Sequence, residues 1–304
     1  MPPRWWSSPA GKQQAGGEAS LQLEKMILEA AGSGVTPGGE SYLGLSIDQE
    51  IELARKTGRT RREIQLAALG AGVVPERYQR NLGTIGLEGQ IALLNSRAAV
   101  IGAGGLGGLV VELLARMGVG YLVVVDGDRF AESNLNRQLL SVERNLGRLK
   151  ARVAARRARR INGAVEVKAV AVKGDRDNLP GLIEGCSVVL DCLDNLPSRF
   201  EVEEACQRAG VPLVHGAVAG FMGQLAVIEP GRPLFPAIYS DPQRGGGRGA
   251  ETRLGNPAAT PAMVASWQVN EAVKIITGKG EVLRGKLLVI DMFSGDLSII
   301  KLSG

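Results

Sequence analysis

This chain is poor in the residues that carry several common chemistries. Its 304 residues include one histidine, three cysteines and 4% aromatics. The cysteines, Cys186, Cys192 and Cys206, are odd in number and form no C-x-x-C pair. That excludes a disulfide framework and a thiolate zinc site, and leaves three buried free thiols as the expectation. The single histidine, His215, lies in the apolar run VPLVHGA, where it reads as a packed residue rather than a catalytic acid. No apolar run approaches the ~18 residues that a membrane span requires. The opening MPPRWWSSPAGKQQAGGEAS lacks the continuous apolar core of a signal peptide. The expectation is a soluble cytoplasmic protein without a membrane partner, whose residues 1–20 form a disordered tail carrying Trp5 and Trp6.

What the chain has in quantity is apolar residues, 44%, and 42 glycines, enough for one large core or two modest ones. The glycines matter most in AVIGAGGLGGLVVELLARMGVGYLVVVDGDRFAESNLNRQ, from Ala99. Ala98 to Ile101 reads as a strand, Gly102 to Gly108 as a turn, and Leu109 to Met117 repeats its apolar residues at helical spacing. Gly102, Gly104, Gly105 and Gly107 let the backbone approach a phosphate at a helix N-terminus, where the dipole favours negative charge. Tyr121 to Val125 is the next strand. Asp126 ends it about twenty residues past the glycines, where a carboxylate accepts the hydrogen bonds of a ribose diol. To this point NAD, FAD and ATP are equally served.

Residues 21–74 read as a small helical appendage, with LQLEKMILEAA, IDQEIELARKTG and RREIQLAALGAG joined by a Gly/Pro/Ser-rich link. The last two helices and their KTGRT turn could form a DNA-reading helix-turn-helix; such hairpins more often serve packing or dimer contacts. From residue 75 to 304 strands and helices alternate. Strands fall at Val165 to Val172, Ser187 to Asp191, Leu213 to His215, Gly223 to Glu229, Leu287 to Asp291 and Leu297 to Leu302. The fold class is α/β: a Rossmann-like, mainly parallel sheet with helices on both faces and late antiparallel strands. The Gly-, Pro- and Arg-rich stretch from Pro230 to Pro261 is either a functional crossover or disorder.

The net charge of +5 is concentrated in GRLKARVAARRARR, from Gly147. Such a run is ordinarily a solvated helix face, here with Leu149, Val153 and Ala154 turned inward. A docking surface for an acidic protein is the alternative. No aromatic platform accompanies the arginines, which argues against nucleic acid.

After Asp126 and Asp128 comes a set that hydride transfer does not need: Asn134, Asn136, Arg137 and Gln138 in SNLNRQ, then Lys150, then Asp194 and Asn195 in VVLDCLDN. Displacement at phosphorus needs cations on the phosphates and a carboxylate for Mg²⁺. Arg137 and Lys150 supply the cations. Asp194 stands at the C-terminal end of a strand, where ligands bind in open α/β sheets.

RYQRN at Arg77, GAGGLGG, VVDGD, SNLNRQ, GRLK, LDCLDN, VPLVHGA and GQLAVIEPG occur in this order, and together they resemble the MoeB/ThiF/HesA family of ubiquitin-activating-like adenylyltransferases over residues 75–304, the ATP-binding adenylation domain. The resemblance implies reaction of ATP with the C-terminal Gly-Gly carboxylate of a small ubiquitin-like sulfur carrier, of molybdopterin, tungstopterin or thiamine type, giving an acyl-adenylate and pyrophosphate. It assigns Gly105 to the phosphates and Asp126 to the ribose. Ser133, Asn134, Asn136 and Arg137 fall to the nucleotide and its phosphates, Lys150 to phosphate oxygens and Asp194 to magnesium. Arg80 would reach into the other subunit of a homodimer.

Two departures stand out. Where many members carry zinc-binding C-x-x-C pairs, this chain reads RPLFPAIY and IIKLSG, so no zinc site is expected. No cysteine follows Cys206, so a thioester step on the crossover is not expected either. The rivals are a tRNA-base dehydratase-like carboxylate adenylation, a NAD-binding oxidoreductase and a non-catalytic carrier-binding scaffold.

Overall fold

The computed structural model describes residues 13–36, 38–239 and 254–302. They fall into two compact units that divide between Leu87 and Glu88.

The smaller unit contains the three expected helices, α1 (Gln13–Ala30), α2 (Ile47–Thr57) and α3 (Arg61–Gly70). Two expectations need correction. The tail ends sooner than position 20, because Gln13 to Ser20 already belong to α1; residues 1–12 lie outside the described residues. The appendage is also not purely helical. Strands β1 (Gly32–Val35), β2 (Ser41–Leu45) and β3 (Val73–Pro75) form a three-stranded sheet, with β1 antiparallel and β3 parallel to β2. GSGV and SYLGL are too short and glycine-rich to display a period-2 pattern, so pairing decides their state: GSGV with the nearby SYLGL, and SYLGL also with the distant Val73–Pro75. Ser46 and Thr60 close capping boxes with Gln49 and Glu63, and Gly58 at φ 68° ends α2. Leu23, Ile27, Leu45, Leu53, Ile64, Ala68 and Val73 form the core. Buried Glu50 accepts hydrogen bonds from Arg61 (2.7 Å) and Gln65 (2.9 Å), and Gln65 accepts one from Tyr78 Oη (3.1 Å).

A further helix, α4 (Gln79–Asn95), is kinked at Gly86, whose φ of 70° no helix accommodates. The larger unit then alternates as expected: β4 (Arg97–Ile101), α5 (Gly105–Met117), β5 (Tyr121–Val125), α6 (Lys150–Ile161), β6 (Glu166–Val170), α7 (Leu179–Ile183), β7 (Val188–Asp191), α8 (Leu196–Ala209), β8 (Leu213–Ala219) and β9 (Met222–Ile228). The short α9 (Phe235–Ile238), α10 (Ala259–Thr277), β10 (Lys286–Asp291) and β11 (Asp296–Lys301) complete it. The eight strands lie in the order β11-β10-β9-β8-β7-β4-β5-β6. From β8 to β6 the pairing is parallel, and β9, β10 and β11 add antiparallel strands. The late antiparallel strands therefore extend one edge of a single sheet.

This order positions the site. The chain winds outward from β4 through β5 to β6, then returns to place β7 on the other side of β4. Right-handed crossovers in the two directions put helices on opposite faces, and accordingly α5 packs with α6 and α10 while α7 packs with α8. The adjacent loops after β4 and β7 consequently diverge to opposite faces, leaving a crevice at the carboxyl ends of the strands. In register, Ile101 lies opposite Val125 on one side and Asp191 on the other, so the segments that follow all three emerge at one level.

The basic helix α6 buries Ala151, Val153, Ala154, Ala155 and Ala158 and turns most of its arginines to solvent. Arg157 is engaged, pairing at 2.7 Å with Glu112 of α5.

Candidate active site

The glycines of the turn after β4 serve two purposes. Gly102 takes φ 93°, and a Cβ there would lie 2.7 Å from the Cys192 carbonyl oxygen. At Gly107 a Cβ would lie 1.8 Å from the carbonyl oxygen of Gly102. These two close the turn against β7 and against itself. Gly104 and Gly105 instead line the cleft beside Gln138, Pro261 and Arg137, where α5 begins and its free N–H groups lie. Asp126 braces the turn: its Oδ2 accepts the Ala103 N–H and its Oδ1 the Asp128 N–H, each at 2.7 Å. Burial raises its pKa, and those two bonds oppose the rise.

The SNLNRQ segment sorts itself by side-chain direction. Ser133 and Asn134 sit on a 3₁₀ turn. The Asn134 side chain accepts the Ala131 N–H at 3.0 Å, while the Ser133 carbonyl and Asn136 Oδ1 accept from Arg137 at 3.0 and 2.8 Å. These three residues hold Arg137 and do not line the cleft, whereas Arg137 and Gln138 do. Gln138 is 6% exposed, and its Oε1 has no partner among the described residues. Lys150, the first residue of α6, is buried, and its Nζ donates to Asp128 Oδ2 at 3.0 Å. A backbone bond from Lys150 N–H to the Asp128 carbonyl (2.9 Å) secures the same pairing.

From the far side of the crevice come Asp194 and Asn195, beyond the end of β7. Asn195 caps α8 by accepting the Ser198 N–H at 3.0 Å; Asp194 remains exposed at the cleft. The resulting cleft encloses about 320 Å³. It gathers ten of the residues expected from sequence: Gly102, Gly104, Gly105, Asp126, Asp128, Arg137, Gln138, Lys150, Asp194 and Asn195. Arg80 is exposed on α4, in the smaller unit. Lys173, Gly174, Val218, Asn256 and Pro261 also line the cleft and escaped the sequence reading. Lys173 and Gly174 could have been found from their place just past the end of β6; Asn256 and Pro261 carry no local signal.

All three cysteines are free and buried. Burial pushes the Cys186 thiol up to about 11, and raises Cys192 and Cys206 as well. Among the described residues no cluster of His, Cys, Asp or Glu could hold a metal by itself, and no helix is long and apolar enough to cross a membrane.

A doubly wound sheet with a glycine turn, a strand-end carboxylate and two cations around one crevice defines a nucleotide-binding α/β protein acting on phosphates. The chain belongs to the ThiF family, which matches residues 78–304. It is 38% identical over 218 residues to the SAMP-activating enzyme E1 of Haloferax volcanii, covering 71% of this chain and 81% of that one. To the sulfur carrier protein adenylyltransferase of Thermus thermophilus it is 36% identical over 225 residues, covering 71% and 83%. Among solved structures, E. coli MccB with ATP superposes with a TM-score of 0.64 at 20% identity, covering 75% of this chain and 72% of that chain. The chain is an adenylyltransferase that uses ATP, and the oxidoreductase and scaffold readings fall away.

Proposed function

We propose that this protein adenylates the C-terminal glycine carboxylate of a small ubiquitin-like sulfur carrier, as a cytoplasmic homodimer whose adenylation domain spans residues 75–304. The observation that carries the reading is the convergence of Arg137, Lys150 and Asp194, from three separate segments, on the cleft that also holds Gly104 and Gly105. The names of the Haloferax and Thermus relatives support the carrier as substrate.

A carboxylate is a weak nucleophile toward a polyanion, so the site must first neutralise the triphosphate. Arg137 and Lys150 hold phosphate oxygens beside the helix N-terminus at Gly105, and Asp126 receives the ribose hydroxyls on its remaining lone pairs. A carrier carboxylate oxygen then attacks the α-phosphorus; an O–P bond forms, the bond to the β-phosphate oxygen breaks, and pyrophosphate leaves. A single exposed carboxylate beside a triphosphate fits Mg²⁺, which favours one or two carboxylates plus substrate phosphates. Asp194 would hold that ion, which would supply charge neutralisation on the phosphates. No cysteine thioester enters the scheme, because the three thiols are buried and hard to ionise.

The test is carrier-dependent ATP–pyrophosphate exchange, using a chain of about 70–90 residues ending in Gly-Gly, with calorimetry for nucleotide choice. Exchange that requires the intact C-terminus, with Mg-ATP bound more tightly than NAD, is the expected result. Exchange supported equally by a carrier lacking its terminal glycines overturns the substrate.

A further inference from the structure

Beneath Asp194 lies a closed ring of hydrogen bonds whose four side chains, Asp191, Arg199, His215 and Tyr239, are not among those lining the cleft. Asp191, the last residue of β7, is fully buried. Its Oδ1 accepts the N–H of Leu193 at 3.0 Å and its Oδ2 lies 2.7 Å from His215 Nδ1. With Nδ1–H given to the carboxylate, His215 Nε2 is left to accept the hydroxyl proton of Tyr239, at 2.8 Å. The Tyr239 oxygen in turn accepts from Arg199 at 3.0 Å, and the same guanidinium donates to the Leu193 carbonyl at 2.6 Å. Arg199 Nε sits 3.7 Å from Asp191 Oδ2, so the buried carboxylate is neutralised inside the ring.

Both backbone polar groups of Leu193 are thus bound by ring members. Leu193 is the residue immediately before Asp194, and its two bonds come from Asp191 and Arg199, the two ends of the run Asp191–His215–Tyr239–Arg199. Losing either end frees one side of the peptide that aims Asp194. The ring is rigid at its far corner also: His215, Phe235 and Tyr239 stack edge to face with centroids 4.9–5.7 Å apart, and buried Glu203 accepts the N–H groups of Leu234 and Phe235 at the start of α9. A packed aromatic corner transmits position because it offers no alternative rotamer.

We infer that His215 and Tyr239 are positioning residues, which act through Asp191 and Arg199 to fix the Leu193–Asp194 turn and so the placement of the Asp194 carboxylate toward a phosphate-bound magnesium. This rests on the reading of Asp194 given above. It assigns the one histidine of the chain to a purpose other than acid–base chemistry.

The experiment uses the full chain and needs no carrier. ATP binding is measured by calorimetry at stepped Mg²⁺ concentrations, and the readout is the Mg²⁺ concentration at half-maximal gain in ATP affinity. Tyr239→Phe removes one hydroxyl and keeps the ring; it should raise that concentration about three- to tenfold, the effect of one hydrogen bond of ordinary net worth. ATP affinity at saturating Mg²⁺ should be unchanged. His215→Asn, which can still donate to Asp191 but cannot reach Tyr239, should match it. The double variant should be no worse than either single one, since both cut the same link. A purely structural role would lower the melting temperature of Tyr239→Phe and leave the magnesium requirement at the wild-type value, which overturns the proposal. Asp194→Asn is the control: if its own requirement is also unchanged, the metal reading of Asp194 fails, and the ring's purpose fails with it.

Discussion

Lys150 Nζ lies 3.0 Å from Asp128 Oδ2, with the lysine side chain 9% exposed and the aspartate 75% exposed. The cation is held in the cleft by a partner at its solvent edge, so a phosphate oxygen can replace Asp128 without moving the lysine far. Lys150→Ala should weaken ATP binding and the adenylation rate together, because a cation on phosphate acts in the ground and transition states alike. A charge-assisted bond of this kind corresponds to about ten- to a hundredfold in ATP affinity. Asp194→Asn should behave differently. If its magnesium neutralises charge that develops as pyrophosphate departs, kcat should fall roughly 10²–10³-fold with nucleotide affinity changed far less. Pyrophosphate exchange beside equilibrium ATP binding separates the two, and wild-type exchange by Asp194→Asn would remove that carboxylate from the mechanism.

Arg80 gives a test of assembly. If it completes the neighbouring subunit's site, Arg80→Ala and Asp194→Ala should each be nearly inactive alone. Mixing the two should recover part of the wild-type rate, because a mixed dimer retains one intact site. The check is exchange activity after co-incubation, with subunit exchange followed by native mass spectrometry. Full activity in a monomer would refute the shared site.

The cysteines provide a third. Cys186, the one whose thiol is raised to about 11, is almost entirely protonated at neutral pH, and Cys192 and Cys206 are raised as well. Iodoacetamide at about pH 8 should therefore leave all three unmodified in the native protein and alkylate all three in denaturant. Adenylation after such treatment should be undiminished. Rapid native alkylation of any one, with loss of activity, would reopen a covalent thiol step.

Much of the molecule was legible without its structure, for reasons of range. Ala98 to Asp126 announces strand, turn, helix and strand because apolar periodicity and glycine spacing act over a few residues, and the structure places those elements within a residue or two, apart from the start of α5. The odd cysteine count and the isolated His215 were equally plain, since absence needs no folding to interpret. Other features depend on contacts between distant parts of the chain. SYLGL pairs with GSGV on one side and with Val73–Pro75, almost thirty residues on, on the other. Within SNLNRQ the residue types alone offered five candidates; only side-chain direction separated Arg137 and Gln138, which face the cleft, from Ser133, Asn134 and Asn136, which brace it. Lys173, Asn256 and Pro261 reach the same cleft from segments far apart in sequence. Local composition determined the elements and the class of ligand, because backbone propensity and phosphate chemistry are short-range. Tertiary structure decided which polar groups converge, because direction and neighbourhood are set only when β4, β5 and β7 lie side by side and their following loops meet at one end of the sheet.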